Sequence, residues 1–462
     1  MVPPLRASSA ISTPAAPSCA TRSADIERLL PTMSGHKSPT PARDCTGRAP
    51  WAGTVLTLLA LQLGFGLWLM PAAYSRLGWV PGTVAVTALM VLTMYSGFLI
   101  SRLVTAVSGC VLFSDIGEAA AGTKGRWLVQ GIVHSFGATR CIILHLVTSQ
   151  SLQHAAGNAE VPLVVYSLVI AVTALFCIQV KAMNKLGWFL TFGTFGQAFA
   201  ALIVTVSLIA RPLPAYQRQT VAFQTADTEM ALVGLMNMVF AYGGQFAFVE
   251  VINAMQRPSE FASAVRASTA VMGAAYVALG GIGYWSMGAV VPSVIIFGIG
   301  SGLFARLAAN AILAQALGQY LLNLNVWTHN MLTLLARSQG KAQGERIESA
   351  ADHHWLTWLA ATSAVITYAF AVSMTVPFLS SLVALATSAT SLVCAYTLPA
   401  WFTLLLLPDA ITRGEYYVCV ALIPLSLLAS GTGFYSSVRV LAGEITGAIL
   451  LRDRALAEVD AY

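Results

Sequence analysis

Apolar runs long enough to cross a bilayer recur along the chain from Trp51 onwards, separated by short polar gaps. A membrane-spanning helix needs about 20 predominantly apolar residues. Only 10% of the 462 residues are charged and the mean hydropathy is +0.72, so a water-facing surface cannot cover these runs. The pattern predicts an all-α polytopic membrane protein of about eleven spans, near 52–73, 81–106, 127–152, 161–180, 187–210, 230–254, 267–291, 300–325, 355–375, 377–406 and 417–438.

The same composition argues against other classes, including soluble enzymes, disordered chains and coiled coils. The net charge is +6, but the Lys and Arg residues sit mostly in the gaps between apolar runs, as in cytoplasmic loops of membrane proteins. We therefore expect a lipid bilayer around the chain and no nucleic-acid partner. The seven cysteines show neither CxxC nor metal-ligand spacing, so no disulfide framework and no metal site are predicted.

Three regions are expected along the chain. Residues 1–50 are rich in Ala, Ser, Thr and Pro and form a disordered tail, residues 51–440 form the transmembrane domain, and residues 441–462 form a C-terminal tail. A cytosolic tail is preferred over an organellar transit peptide for the first region. Seventeen Lys and Arg fall on the N-terminal side of the membrane against six on the other, which predicts a cytoplasmic N-terminus.

Two of the predicted spans are interrupted. The first contains Gly64-Phe65-Gly66 and then Pro71, and the sixth contains Ala241-Tyr242-Gly243-Gly244. Unwound backbone at membrane depth is tolerated only where it lines a cavity or is buried in protein. Breaks five spans apart indicate two inverted halves with a solute site between them. Free N–H groups at a half-helix N-terminus suit a carboxylate, so we expect an amino acid; close helix packing is the alternative use of these glycines.

Five segments carry a family resemblance, in the order 64–71 with 77–79, 113–120 with 125–128, 240–245 with 250–251 and 255–258, 283–288, and 377–378 with 398–399. They resemble the amino acid/auxin permease family, the transmembrane amino acid transporters, with plant-type members nearest. The resemblance implies a leucine-transporter-like fold of two inverted five-helix repeats plus one extra helix. It also implies ion-driven amino acid transport, usually with protons and sometimes with sodium. The chain departs from the family at Leu69, where members often carry Ser, and at Gln245, where many carry His.

In such a site the substrate carboxylate binds the first break, its ammonium binds carbonyls of the second, and its side chain contacts Trp68 and Tyr242. The full set of expected substrate-binding residues is Gly64, Phe65, Gly66, Trp68, Phe240, Ala241, Tyr242, Gly243, Gly244 and Gln245. Phe240 and Phe246 are candidate gates, with ordinary packing as the alternative.

The eighth span indicates the coupling ion. In this fold one sodium site combines carbonyls of the first helix with hydroxyls of the eighth, but residues 303–319 contain no Ser or Thr. Sodium prefers a cage of oxygen ligands. We therefore expect protons as the coupling ion and no cofactor, with sodium as the alternative if Asn310 substitutes for the missing hydroxyls.

A few ionisable residues fall within spans, where charge is expensive and therefore a candidate for function. Glu250, His134 and His145 are the candidate proton carriers, and Arg140 is either a fixed charge facing the cavity or a structural residue. The alternatives are that Glu250 pairs with Arg257 and that the histidines are satisfied by hydrogen bonds.

Other functions remain open at this stage. A non-amino-acid solute such as an indole acid or an amine is compatible with Trp68 and Leu69. An intramembrane enzyme is disfavoured because no carboxylate accompanies His134 or His145 in their span, and the tail shows no receptor module. We expect a plasma membrane or an internal, vacuolar-type membrane.

Overall fold

The computed structural model describes residues 49–157, 160–179, 183–225, 227–300, 302–338 and 354–460, with side chains left undescribed at 180–191, 333, 334, 336–338 and 451–460. The expected N-terminal tail lies almost wholly outside these residues. Within them the helices are α1 (Trp51–Gln62), α2 (Gly66–Leu77), α3 (Trp79–Ala106), α4 (Phe113–Ala156), α5 (Leu163–Cys177), α6 (Met183–Ala210), α7 (Thr228–Ala241), α8 (Phe248–Ala254), α9 (Phe261–Met287), α10 (Leu303–Ser338), α11 (Trp355–Thr375), α12 (Leu379–Ala386), α13 (Leu398–Leu406) and α14 (Arg413–Asp460).

Each of the eleven predicted spans coincides with helix. In the described part of the chain, eight helical segments are long and apolar enough to cross a membrane, and the bent pair α1–α2 makes nine. The other two predicted spans are α5, which is apolar but has 15 residues, and α10, whose middle carries Gln315, Gln319 and Asn323. The last helix, α14, continues well past the expected end at residue 438.

The two interrupted spans run in opposite directions. The helices α1 and α2 are bent by 56° at residues 63–65, and α7 and α8 are separated by residues 242–247. Ala49 pairs with the end of α8 through two backbone hydrogen bonds of 2.9 Å, from Ala49 N to Ala254 O and from Gln256 N to Ala49 O. The span that begins beside that end is therefore antiparallel to the span that finishes there, as an inverted repeat requires.

Other helices pack around the two breaks. The helix α10 packs on α4 and α6, while α9 packs on α2 and α3. The largest buried cluster surrounds α2, α7 and α9, with Trp68, Tyr74 and Tyr276 fully enclosed. The breaks are thus enclosed by other helices and are not on the outer surface of the protein.

The tenth predicted span is not a regular α-helix. Between α12 and α13 the backbone forms π-helical turns over Thr387–Ser391 and Val393–Thr397. Both stretches are mostly buried and carry several hydroxyl side chains, two of which bond to carbonyls four residues earlier (Thr387 and Thr390). Such π-bulges are frequent at functional sites.

Candidate functional site

The two breaks lie against each other in the centre of the fold. A Cβ added at Gly66 would lie 2.5 Å from both Cα and Cβ of Ala241. A Cβ added at Gly64 would lie 2.6 Å from the amide nitrogen of Gln319. Gly66 therefore allows a close approach to the Ala241 backbone, and Gly64 leaves room for the end of the Gln319 side chain.

The first break presents two backbone donors, Phe65 N–H and Gly66 N–H, that bond to no other residue in the described part of the chain. Gly66 is the first residue of α2 and Phe65 precedes it, and the leading N–H groups of a helix have no partner within that helix. The neighbouring Gly64 carbonyl accepts a hydrogen bond from the Gln197 amide. The N-terminus of α2 is thus a place where a carboxylate would be stabilised.

The second break differs from the expectation in one respect. Gly244 has a φ of +145°, which favours glycine, but two carbonyls before it, those of Ala241 and Tyr242, are already paired. Ala241 O accepts from the Tyr276 hydroxyl at 2.7 Å, and Tyr242 O accepts from the amides of Gln62 at 3.2 Å and Gln245 at 3.0 Å. An ammonium group would have to displace these protein donors or use the second lone pair of each oxygen.

Only part of the expected substrate set lines the space between the breaks. Gly64, Phe65, Gly66, Phe240 and Gly243 line a pocket of about 20 Å³, which is large enough for a water molecule but not for an amino acid. Gly244 and Gln245 line a separate void of about 10 Å³.

The remaining members of the set are packed into the protein. Trp68, Ala241 and Tyr242 are buried in the main apolar cluster and line neither of these spaces. The Trp68 Nε1 and the Tyr242 hydroxyl have no hydrogen-bond partner. In this conformation the indole and the phenol therefore support the breaks and do not form a substrate pocket.

A larger cavity begins beside the small pocket. It has a volume of about 320 Å³, and its lining includes Ala49 and Ala254, so it extends to the end where α1 begins and α8 finishes. Four residues line both spaces and separate them: Leu61, Phe136, Arg140 and Gln319. A solute in the cavity would have to pass these side chains to reach the breaks.

Contacts close the opposite end of the broken spans. The Ser380 hydroxyl of α12 lies 2.6 Å from the Arg76 guanidinium of α2 and 2.6 Å from the Asn237 amide of α7. Three helices are thereby joined at the end remote from the cavity. In the described conformation the cavity lies on one side of the breaks, and these contacts join the helices on the other.

The larger cavity brings together three of the four ionisable candidates. Glu250, His134 and Arg140 all line it, as does Phe246. The Glu250 side chain is exposed to this space, and Arg257, its expected alternative partner, instead pairs with Glu260 at 3.0 Å. The Nδ1 atom of His134 is buried without a partner.

His145 lies elsewhere. It is fully buried, and its ring nitrogens lie 3.1 Å from the Tyr320 hydroxyl and 2.8 Å from the Ser167 hydroxyl. The two histidines are eleven positions apart, which places them on one face of α4, but only His134 reaches the cavity. Both ring nitrogens of His145 thus have hydrogen-bond partners, as expected if this histidine has a structural role and does not carry protons.

The eighth predicted span contributes amides where the sodium alternative requires hydroxyl groups. Ala60 O, one turn before the first break, accepts from Gln319 Nε2 at 3.0 Å and from Gln315 Nε2 at 3.4 Å. Asn310 is exposed, and its amide donates to Arg306 O of its own helix at 2.9 Å. Asn310 is therefore not placed to complete a cation site against α1.

Several residues at the breaks were not predicted. They are polar side chains that bond backbone carbonyls at the breaks or one turn before them: Gln62, Gln197, Tyr276, Gln315 and Gln319. Gln315 and Gln319, with Asn323, recur every four residues in α10 and therefore lie on one face. That spacing is the signal that the sequence offered.

Comparison with known proteins identifies the family. Residues 47–439 match the family of transmembrane amino acid transporter proteins. The chain belongs to that family. The sequence motifs had indicated it, and membership makes the chain a multi-pass membrane transporter rather than an enzyme.

The curated relatives and solved structures agree with this assignment. The chain is 22% identical over 414 residues to the amino acid transporter AVT1E of Arabidopsis thaliana, which covers 88% of this chain and 76% of that protein. It is 20% identical to the N amino acid transport system protein of Neurospora crassa, covering 85% of each. The fold is similar to that of MhsT in complex with L-phenylalanine, with a TM-score of 0.58 and 11% identity over 83% of this chain and 98% of that one. It is also similar to a sodium-coupled sialic acid symporter, with a TM-score of 0.55 and 13% identity over 87% and 90%. These structures confirm the predicted fold of two inverted five-helix repeats.

Proposed function

We propose that this transporter is a proton-coupled symporter of amino acids that works by alternating access. The observation that carries the proposal is the meeting of two antiparallel broken spans, with the free N–H groups of Phe65 and Gly66 at the small pocket between them. The carboxylate of an amino acid would bind these donors at the positive end of α2. The pocket must enlarge to admit it, which requires Phe136 and Arg140 to move from their position between the two spaces.

The glutamines of α10 support protons over sodium. The Ala60 carbonyl is the α1 oxygen that faces α10, and it already accepts hydrogen bonds from Gln315 and Gln319. The amide NH₂ groups place partial positive charge beside the Ala60 carbonyl, where the sodium alternative would place an ion. Sodium would have to displace both donors and still lack a hydroxyl from this face of α10.

Glu250 is the proposed proton carrier, with His134 as the second candidate. The Glu250 carboxylate is exposed to the larger cavity and is not engaged by Arg257, so water in the cavity can deliver a proton to it. Protonation would remove a negative charge from the walls of a space that lies within the membrane domain. That change in charge is what a coupling residue must undergo during each cycle.

We also propose a cytoplasmic N-terminus, in a plasma membrane or an internal, vacuolar-type membrane. With that orientation the larger cavity opens to the cytoplasm, because its lining includes the start of α1. An N-terminal tag that becomes accessible to an impermeant protease only after permeabilisation supports the orientation. Cleavage on intact cells would reverse it for a plasma-membrane location.

Uptake by purified protein in proteoliposomes tests the function. A panel of labelled amino acids is offered under an inward proton gradient or an inward sodium gradient. Accumulation with protons alone is the expected result. Accumulation only with sodium would overturn the choice of ion, and no uptake of any amino acid under either gradient would favour another solute, such as an indole acid or an amine.

A matched pair of variants tests the proton carrier. Glu250→Gln should abolish uphill accumulation under a proton gradient while retaining exchange of labelled for unlabelled substrate. Glu260→Gln makes the same chemical change ten residues along the chain, in a carboxylate paired with Arg257 outside the cavity, and should accumulate substrate normally. Normal accumulation by Glu250→Gln would transfer the role to His134 or reject both candidates.

A further inference from the structure

Arg140 is the charged residue that lies between the large cavity and the small pocket. It lies in the middle of the span formed by α4, and it lines both the large cavity and the small pocket between the breaks. Its side chain therefore stands on the path that joins the two spaces. Any solute moving from the cavity to the breaks must pass the guanidinium.

The guanidinium is poorly satisfied by the protein. Its Nε is buried without a partner, and Nη2 makes a single long hydrogen bond of 3.4 Å to Leu61 O. The rings of Phe136 and Phe246 lie 5.9 and 6.0 Å away, so they contribute only weak attraction. A guanidinium has five donors and does not lose its proton in proteins, so most of its hydrogen-bonding capacity remains unused.

No carboxylate in the described part of the chain forms an ion pair with Arg140. None of the ion pairs found there involves it; on the same helix, by contrast, Arg126 pairs with Glu118 at 2.7 Å. Glu250 lines the same cavity but forms no ion pair with Arg140. An uncompensated cation at membrane depth is costly, and such residues usually serve a ligand or an ion path.

We propose that Arg140 binds a carboxylate of the solute and that the transported amino acid carries a net negative charge, as aspartate and glutamate do. This inference rests on the proposed transport function. A neutral amino acid is a zwitterion whose charges cancel, so it would leave the guanidinium uncompensated. A second carboxylate pairs with Arg140 through two parallel N–H···O bonds while the first binds the N–H groups of Phe65 and Gly66.

The inference also explains why a proton is needed. With Glu250 ionised, the cavity holds a negative charge that repels an anionic solute. Protonation of Glu250 leaves Arg140 as the charge that the solute meets. Proton and anionic amino acid therefore favour each other's binding, which is the condition for symport.

Paired substrates test the inference in the intact protein. Proton-driven uptake of L-glutamate is compared with uptake of L-glutamine, which has the same shape without the second charge. We expect wild-type protein to prefer glutamate by about tenfold or more, the value of one charge-assisted hydrogen bond. Glutamate should also raise the thermal stability of the purified transporter more than glutamine does.

Variants of two arginines test whether Arg140 is the residue that produces the preference for glutamate. Arg140→Gln should lose the preference for glutamate, and Arg140→Lys should retain part of it. Arg126→Gln removes a charge from the same helix outside both spaces and should behave as wild type. Wild-type protein that prefers glutamine in both uptake and thermal stabilisation would overturn this inference while leaving amino acid symport intact, even if Arg140→Gln failed to fold. No uptake of any amino acid would overturn both.

Discussion

Replacing Gly66 by alanine should separate the two breaks. The added Cβ would lie 2.5 Å from Cα and Cβ of Ala241 and 3.3 Å from its backbone nitrogen, whereas ordinary contact begins at 3.4 Å. Two of these three atoms are backbone, so no rotation of a flexible side chain can relieve the clash. The helices α2 and α7 must move apart by nearly 1 Å at the centre of the fold.

The expected loss in the free energy of unfolding of Gly66→Ala follows from two opposing effects. Overpacking a close-packed interior costs about 1–3 kcal/mol. Alanine in place of glycine in a helix returns up to about 1 kcal/mol, although Gly66 stands at the first position of α2 where this gain is smallest. We therefore expect Gly66→Ala to destabilise the transporter by about 1–2 kcal/mol and to reduce uptake severely, because the displaced N–H groups form the proposed carboxylate site.

The assay compares thermal unfolding in detergent and uptake in proteoliposomes with those of a matched variant. Gly431→Ala makes the same change within α14, where an added Cβ meets nothing within 4 Å, and should leave both properties unchanged or slightly raise stability. If Gly66→Ala and Gly431→Ala gave equal melting temperatures and equal uptake, the breaks would not be in the close contact described here.

Two further predictions concern hydrogen bonds around the breaks and within the scaffold. Tyr276→Phe removes the donor that holds the Ala241 carbonyl at 2.7 Å and should destabilise the protein by about 1 kcal/mol, measured as a lower melting temperature. If that carbonyl then serves the substrate ammonium, the apparent affinity for substrate will change as well. His145→Leu leaves two buried hydroxyls without their imidazole partner and should cost about 1–3 kcal/mol. Its uptake per folded molecule should keep the pH profile of the wild type, and a shifted profile would restore His145 as a proton carrier.

The arrangement of the spans was predictable because it depends on local chemistry. Long apolar runs specify helices in a bilayer, and glycine or proline within such a run marks a place where the helix cannot continue. The interruptions at Gly64 and Gly243 were therefore visible in sequence, as was their separation by five spans. Their direct contact followed from the inverted repeat.

The interior of the site was less predictable because it depends on distant side chains. Trp68 lies two residues past Gly66, yet the turn of α2 carries its indole into the apolar cluster and away from the pocket. The carbonyls of the second break looked free in sequence, but Gln62 and Tyr276 arrive from other helices to occupy them. Which oxygen remains for a solute is a property of the packed molecule.

The contact between Ala49 and the end of α8 has a mechanical consequence. Two backbone hydrogen bonds fasten the outer ends of α1 and α8, the two half-helices that line the cavity. Independent movement of either end would break these bonds, so we expect the two ends to move together when the cavity widens. A restraint placed on Ala49 would act on both half-helices at once, so we expect it to slow the opening of the cavity and with it the release of solute.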